Sequence, residues 1–120
     1  MTDPASVAFR STCPLASVLD IIGDKWTLVI MRDMLAGKTR FSEFLDSPEG
    51  LSPRVLSQRL SFLESQGMIQ KVQAGRTHPA YVLTDKAMEL KEVGIRLAEW
   101  GLRHIPGRVS PYLDKFRDED

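Results

Sequence analysis

The stretch that decides the fold runs from Phe41 to Gly67, FSEFLDSPEGLSPRVLSQRLSFLESQG. Ser52 can accept a hydrogen bond from a first-turn amide, and Pro53 fits the first helical position, where no amide donor is needed. Gly67 ends this helix. A shorter helix precedes it, and the Pro and Gly within Ser47–Gly50 permit a sharp corner between the two. The stretch therefore predicts a helix-turn-helix.

The longer helix of this motif has two unlike faces. Leu56, Leu60 and Leu63 recur at steps of four and three residues, so they form one apolar stripe that packs inside the domain. The opposite face is polar and consists of Arg54, Ser57, Gln58, Ser61 and Ser65, with Arg59 on its flank. Arginine can bond guanine and glutamine adenine bidentately, while hydroxyls serve either, so this face suits the base edges of a DNA major groove. An ordinary solvated helix face is the alternative interpretation.

Composition places the chain among ordinary globular domains. It has 120 residues, of which 42% are hydrophobic and 27% charged, so one domain can bury its own core. Sixteen basic and sixteen acidic residues cancel, which argues against indiscriminate electrostatic binding to nucleic acid. Basic residues nevertheless gather in or beside the predicted reading region, at Lys38, Arg40, Arg54, Arg59, Lys71 and Arg76. Acidic residues crowd the end of the chain, so the zero sum hides a locally basic surface.

Several functional classes are not expected. One cysteine cannot make an internal disulfide, and His78 and His104 alone form no metal-ligand cluster, so we expect neither a metal nor another cofactor. There is no Gly-rich phosphate loop and no nucleophile elbow, so an enzyme is not expected. Neither a membrane-length apolar run nor a secretory signal pattern is visible, so we expect a cytosolic protein without membrane contact.

The N-terminal third predicts an arm and two helices. Residues 1–11 lack periodicity and are predicted to be a flexible arm. A short amphipathic helix follows Cys13 and ends at Gly23. Asp24 is the predicted N-cap of a buried central helix over Lys25–Leu35. Two interpretations of Lys25 stay open, because it can be solvated or can reach a DNA phosphate beside the helix amides.

The residues after Gly67 predict a β-hairpin. Met68–Gln73 and Ala80–Leu83 are rich in Val, Ile and Tyr, and a Gly- and Pro-containing turn joins them. A hairpin directly after a recognition helix is the wing of a winged helix. Arg76 at its tip can reach the phosphate backbone or the minor groove, with a solvated turn charge as the alternative. Thr77 and His78 share this tip and are grouped with it as candidate DNA contacts.

Two apolar helix faces predict a dimer. Thr84 is the predicted N-cap of a long last helix over residues 85–105, and two glycines in its interior suggest that another helix approaches closely. The predicted dimer seam comprises Leu15, Val18, Leu19, Ile22, Val93, Gly94, Leu97, Trp100, Gly101 and Ile105. Tyr112, Leu113 and Phe116 of the tail extend this seam. The alternative is that both helices fold back on their own domain, which in a chain this short offers little core to cover them.

Together these elements predict an α+β, mostly α fold. It is a winged helix-turn-helix with a two-stranded wing and N- and C-terminal dimerisation helices, residues 15–22 and 85–105. The domain spans residues 12–105, between the arm over residues 1–11 and a tail over residues 106–120.

The chain also resembles the HxlR-type winged-helix regulators, a branch near the MarR group. The resemblance covers Cys13 to His104. It rests on Cys13-Pro14, Ile22-Gly23-Asp24-Lys25-Trp26, Arg40-Phe41-Ser42-Glu43-Phe44, Leu51 to Leu60, Leu63 to Gly67, Tyr81-Val82-Leu83-Thr84 and Glu99-Trp100-Gly101. Each piece alone is weak, whereas their order makes the signal specific.

The resemblance implies a cytoplasmic bacterial homodimer on a pseudo-palindromic operator, with repression as the expected sign. Some members of the family detect quinones, aldehydes or oxidants through a cysteine at the position of Cys13, so a small-molecule or oxidant effector is expected, with a purely structural Cys13 as the alternative. The predicted DNA-binding residues are Lys25, Lys38, Thr39, Arg40, Ser52, Pro53, Arg54, Ser57, Gln58, Arg59, Ser61, Arg76, Thr77 and His78. The competing function is a winged-helix protein-interaction module that does not touch DNA.

Overall fold

The structure is a computed structural model that describes residues 7–73, 75, 77–113 and 116. In this part of the chain six helices and one antiparallel hairpin form an α+β, mostly α fold. The elements in chain order are α1 (Pro14–Ile22), α2 (Thr27–Leu35), α3 (Phe41–Leu45), α4 (Pro53–Ser65), β1 (Ile69–Val72), β2 (Ala80–Leu83), α5 (Asp85–Met88) and α6 (Lys91–His104). The predicted helix-turn-helix is confirmed as α3 and α4.

The main core lies beneath the helix-turn-helix. Ile30 of α2, Phe44 of α3 and Leu56 and Leu63 of α4 are fully buried in one cluster. Leu51 is also buried, at the corner between α3 and α4. The packing of these apolar side chains from three helices therefore fixes the orientation of α4 relative to α2 and α3.

The start of α4 follows the predicted cap. The Ser52 hydroxyl accepts a hydrogen bond from the Val55 amide at 3.2 Å, and Pro53 occupies the first helical position. These two residues satisfy or remove first-turn donors that would otherwise lack partners.

The hairpin packs against the end of α4. Ile69 pairs with Leu83 and Val72 with Ala80 in an antiparallel register. The Thr84 hydroxyl donates to the Gly67 carbonyl at 2.7 Å, which ties the end of the wing to the end of α4. The predicted tip residue Arg76 lies outside the described residues.

The central helix begins later than predicted. It starts at Thr27 rather than Lys25, so its N-cap residue is Trp26 and the prediction that Asp24 is the N-cap is wrong. Asp24 nevertheless bonds the amides that lead into the helix. Its carboxylate accepts hydrogen bonds from the Trp26 and Thr27 amides, both at 3.0 Å. A short turn therefore lies between Asp24 and the helix, and Lys25 in this turn is exposed to solvent.

The prediction of one long last helix is wrong, because the structure has two helices in this range. α5 ends at Met88, and α6 begins at Lys91 after a turn at Glu89 and Leu90. Ala87 of α5 is buried in the main core, and Leu90 packs against the same cluster. The turn lets Ala87 of α5 pack in the main core while Ile95 of α6 packs in a second core.

The described tail residues also differ from the prediction. Leu113 and Phe116 are buried with Ile95 of α6 in a second, smaller core, against which Tyr112 packs. These three tail residues therefore contact their own chain and do not extend the exposed seam. At the other end, the Arg10 amide and guanidinium donate to Asp20, which holds the described end of the arm against α1. Residues 1–6 lie outside the described residues.

Across the described ranges, every helix is too short or too polar to cross a membrane. The same ranges contain no group of three His, Cys, Asp or Glu residues able to hold a metal ion.

Candidate nucleic-acid interface

The outward face of α4 is a continuous polar surface. The exposed members of the predicted reading set on this helix and its cap are Ser52, Pro53, Arg54, Ser57, Gln58 and Ser61. Leu56, Leu60 and Leu63 on the opposite side are buried. The sequence period and the burial pattern thus agree on which side of α4 is free to meet a partner. We call these six residues the reading face.

Arg59, predicted with this set, is engaged within the chain. Its guanidinium lies 3.6 Å from the Asp24 carboxylate and 4.6 Å from the centroid of the Phe62 ring, and only 23% of its side chain is exposed. Its Nε is buried without a hydrogen-bond partner among the described residues. Because a long flank side chain can turn back across its helix, Arg59 braces α4 against the turn before α2.

Asp24 is the second half of this brace. Burial raises the pKa of Asp24, but hydrogen bonds from the Thr27 hydroxyl and the Trp26 amide, together with the charge of Arg59, outweigh burial and hold it below its ordinary value. The carboxylate is therefore ionised over the physiological range. It accepts hydrogen bonds from the amides that lead into α2 and pairs with Arg59 of α4 at the same time.

The predicted phosphate contacts beside α4 divide into two groups. Lys25 and Arg40 are exposed. Lys38 is mostly covered and lies 3.9 Å from the buried Asp33 carboxylate. Thr39 uses its amide for Glu43 and its carbonyl for Tyr81, so its backbone is fully committed within the chain. Exposure therefore favours Lys25 and Arg40 as phosphate contacts.

Glu43 fixes the loop that presents Arg40. Its carboxylate accepts hydrogen bonds from the Thr39 amide at 3.1 Å and the Arg40 amide at 2.9 Å. These bonds hold the pKa of Glu43 below its usual value. The start of α3 is consequently well defined, and the Arg40 side chain leaves from a fixed backbone.

At the wing, Thr77 and His78 are exposed, as a DNA contact requires. Lys71 of β1, which the sequence showed only as a nearby charge, lies beside α4 in the structure. A pocket of about 100 Å³ brings Lys71 together with Ser57, Ser61 and Glu64 of α4. The strand pattern alone did not reveal which side of the wing faces α4, so this cation could not be assigned from sequence.

A second feature missed from sequence is the ion-pair network of Arg32. Its guanidinium donates to both carboxylate oxygens of Glu49, at 2.8 and 3.0 Å, to Asp33 at 2.9 Å and to the Ser47 hydroxyl at 3.0 Å. Asp33 and Ser47 are buried. We call these four residues the corner network, because they join α2 to the corner of the helix-turn-helix.

The corner network shifts the protonation of its members. The hydrogen bonds from Arg32 lower the pKa of Glu49 to about 2, and Glu49 in turn raises the pKa of Arg32. Both groups stay charged at neutral pH. The network therefore stabilises the geometry of the corner at neutral pH.

Cys13 occupies the predicted place at the start of α1. It is a free, exposed thiol, and it is the N-cap residue of that helix. Arg10, the nearby cation in sequence, donates instead to Asp20 and to the Ala16 carbonyl. The thiol is therefore accessible to solvent, whereas the Arg10 guanidinium is bonded to residues of α1.

The predicted seam is largely exposed. The exposed large members are Leu15, Val18, Leu19, Val93, Leu97, Trp100 and Ile105. Ile22 differs, because it is 5% exposed and anchors α1 to its own chain, so it is not free to meet a partner. A β-carbon built on Gly94 or Gly101 meets nothing within 4 Å, so the close helix approach expected at these glycines does not occur within the described chain.

Comparison with protein families gives a direct assignment. A family model described as HxlR-like helix-turn-helix matches residues 21–108, which is most of the chain. The chain belongs to the HxlR-like family. The matched range includes the whole reading face, the wing and α6, and it ends before the tail residues of the second core.

Relatives of this HxlR-like protein are transcriptional regulators. It is 32% identical over 94 residues to the uncharacterized HTH-type transcriptional regulator YybR of Bacillus subtilis strain 168, covering 77% of this chain and 75% of YybR. It is 28% identical over 100 residues to YtfH of Escherichia coli K12, covering 82% of this chain and 79% of that regulator. The protein is a transcriptional regulator of the helix-turn-helix type.

Solved structures agree with the winged helix-turn-helix. PA1607 superimposes with a TM-score of 0.77 at 36% identity, covering 84% of this chain and 72% of PA1607. The reduced form of the redox regulator HypR superimposes with a TM-score of 0.71 at 29% identity, covering 78% of this chain and 95% of HypR.

Proposed function

We propose that this regulator is a homodimer that binds a specific pseudo-palindromic DNA site and represses transcription from it. The observation that carries the proposal is the reading face, which is exposed on α4 while three leucines hold the helix from beneath. Its arginine, glutamine and hydroxyl groups match the donors and acceptors of major-groove base edges.

Within this proposal, base reading and positioning belong to different residues. Arg54, Ser57 and Gln58 read bases from the exposed side of α4. Lys25, Arg40 and Lys71 contact phosphates on either side. The wing tip, with Arg76, Thr77 and His78, reaches the adjacent backbone or minor groove. Lys38 and Arg59 act on DNA indirectly, since their ion pairs fix the elements that carry the contacts.

A dimer supplies two copies of the reading face. The exposed apolar residues of α1 and α6 would be covered between two copies, and the open space at Gly101 admits a partner helix. Two α4 helices related by a two-fold axis meet successive major grooves about 34 Å apart, so half-sites are centred about one helical turn apart.

The test is a binding titration of the purified protein on DNA from upstream of its own gene and the adjacent gene, with scrambled DNA as competitor. A specific complex whose affinity falls steeply with salt supports the proposal. A protein that shows no preference for any duplex, but retains a folded winged helix, would instead support the protein-interaction alternative. A reporter driven by the same DNA then gives the sign of regulation, with repression expected.

Regulation through Cys13 is the second part of the proposal. The thiol is exposed at the start of α1, and the chain is similar to the redox regulator HypR. Diamide can take two electrons and two protons from the Cys13 thiols of two protomers, leaving a disulfide between them and the reduced hydrazine. A covalent link at α1 would change the angle between the two α4 helices and lower the affinity for operator DNA.

The test of this part compares wild type with Cys13→Ser. We expect both proteins to bind operator DNA equally under reducing conditions, because Cys13 is exposed and far along the chain from α4. Diamide should release wild type from DNA and leave Cys13→Ser bound. A wild type that binds equally well before and after diamide treatment would show that Cys13 is a structural residue.

A further inference from the structure

An apolar cavity of about 200 Å³ lies between α2, α6 and the tail. Met31 and Leu35 of α2 line one side, and Gly94 and Ile95 of α6 line another. The tail contributes a further wall with Leu113 and Phe116, both buried, and the cavity is partly open to solvent. The reading face and the seam residues of α1 do not line this cavity, whereas Gly94 and Leu97, two predicted seam residues of α6, do.

The tail wall lies beyond the residues that the family model matches. The family match ends at residue 108, whereas the tail residues that line the cavity are Ser110, Tyr112, Leu113 and Phe116. The Leu113 amide donates to the Ser110 hydroxyl at 3.2 Å, and the Tyr112 and Phe116 rings stack with centroids 6.0 Å apart. The wall is therefore a locally ordered structure and not a loose end.

Volume and lining restrict what the cavity can hold. An engineered cavity of about 150 Å³ lined by apolar side chains stays dry and binds benzene, so about 200 Å³ suits a molecule of one ring with a short substituent. Apolar side chains form most of the lining. Of its two basic residues, Arg32 is already bonded to Glu49, Asp33 and Ser47, and Lys91 is the first residue of α6. These features favour an uncharged ligand over an acid.

One lining residue connects the cavity to the helix-turn-helix. The Arg32 guanidinium lies 5.8 Å from the centroid of the Tyr112 ring on the tail side. The same guanidinium holds Glu49 and Ser47 at the corner before α4. Displacement of Tyr112 would change the electrostatic surroundings of Arg32, and Arg32 fixes the corner.

We propose that this cavity binds a small, uncharged, ring-containing molecule, and that Tyr112 transmits its occupancy through Arg32 to the corner network. An effect of such a ligand on operator affinity rests on the proposed DNA-binding function. The ligand site and the transmission to the corner do not, so they are tested without DNA.

The experiment is a titration of the full chain with toluene, followed by backbone amide and side-chain methyl resonances in NMR spectra. We expect saturable shifts at the Ile95 and Leu113 methyl groups and, through Arg32, at the Ser47 and Glu49 amides. Benzoate serves as the charged probe. Absence of saturable toluene shifts, or stronger binding of benzoate, would overturn the proposed ligand class.

Matched variants locate the site. Gly94→Leu places a side chain in the cavity, whereas Gly101→Leu places the same side chain on the same helix away from the lining residues. We expect Gly94→Leu to lose the toluene shifts and Gly101→Leu to retain them. Ala98→Leu, from another lining position, replaces Gly94→Leu if that protein does not fold. Equal toluene binding by the filled and control variants would place the ligand elsewhere.

Transmission has its own variant. Tyr112→Leu removes the ring beside Arg32 but leaves Leu113, Phe116 and both helices to form the cavity. We expect this protein to keep the toluene shifts at Ile95 and to lose those at Ser47 and Glu49. If the corner amides still shift as in wild type, the proposed route through Tyr112 is wrong.

Discussion

At the scale of single residues, two arginines of α4, Arg54 and Arg59, have different surroundings. Arg54 is exposed on the reading face, whereas Arg59 is turned back onto Asp24 and Phe62. Arg54→Ala should therefore leave stability unchanged and cost about 1–3 kcal/mol of binding at one base position, where specificity relaxes. The measurement is affinity for operators that carry single base-pair changes. An unaltered base preference would remove Arg54 from the reading set.

Arg59→Ala should give the opposite pattern. The substitution removes a partly buried ion pair and a cation–π contact, so we expect the free energy of unfolding to fall by about 1 kcal/mol. DNA affinity should weaken by a similar factor for every operator variant, because α4 is less firmly held while its base-reading groups are intact. Urea unfolding and the same operator panel measure both effects. Relaxed preference at one base pair with unchanged stability would instead make Arg59 a base-reading residue.

At the scale of elements, the corner of the helix-turn-helix depends on an ion pair that responds to acid. The pKa of Glu49 is about 2 in the folded chain and 4.5 ordinarily, so the unfolded state binds the proton more readily. Stability from this pair is fully present above pH 4.5 and is lost as pH falls towards 2. Because Glu49 is partly exposed, Glu49→Gln should cost no more than about 1 kcal/mol at neutral pH.

The measurement is the free energy of unfolding by urea for wild type and Glu49→Gln between pH 7 and pH 2. The difference between the two proteins should be constant above pH 4.5 and shrink below it. Asp24 and Glu43 also titrate with lowered pKa values, but they contribute equally to both proteins. A difference that stays the same at every pH would show that the Arg32–Glu49 pair does not stabilise the fold.

Elements with a local signal were predictable from sequence, and elements fixed by packing were not. Ser52, Pro53 and Gly67 mark the ends of α4 through their own backbone chemistry, so both bounds were predicted closely. The turn between α5 and α6 contains neither proline nor glycine. It exists because Ala87 and Leu90 reach the main core while Ile95 meets the tail, and sequence period does not record such a division.

The candidate site shows the same division. The helical period gave the reading face, because exposure alternates with burial on one regular helix. Contacts between distant segments were missed, such as Arg32 with Glu49 or Lys71 beside Ser57. No pattern within either segment indicates its partner, so the ion pairs that withdraw Lys38 and Arg59 from solvent were equally hidden.

At the scale of the whole molecule, large apolar residues of α1 and α6 are exposed in the single chain. Leu15 is 67% exposed and Trp100 54% exposed in the single chain. Replacing an exposed side chain of this kind changes the stability of a monomer little. The same replacement in an interface removes much of the binding energy. We therefore expect Leu15→Glu and Trp100→Glu to form monomers that remain folded, with Met88→Glu, which is exposed on α5, as the matched control.

Sedimentation and thermal unfolding together distinguish association from folding in these proteins. Wild type and Met88→Glu should sediment as dimers whose unfolding midpoint rises with protein concentration, because the partner stabilises the folded chain by mass action. The two seam variants should sediment as monomers with a concentration-independent midpoint. They should also lose affinity for the two-half-site operator, since one α4 contacts one groove. Seam variants that stay dimeric would place the interface on a surface other than α1 and α6.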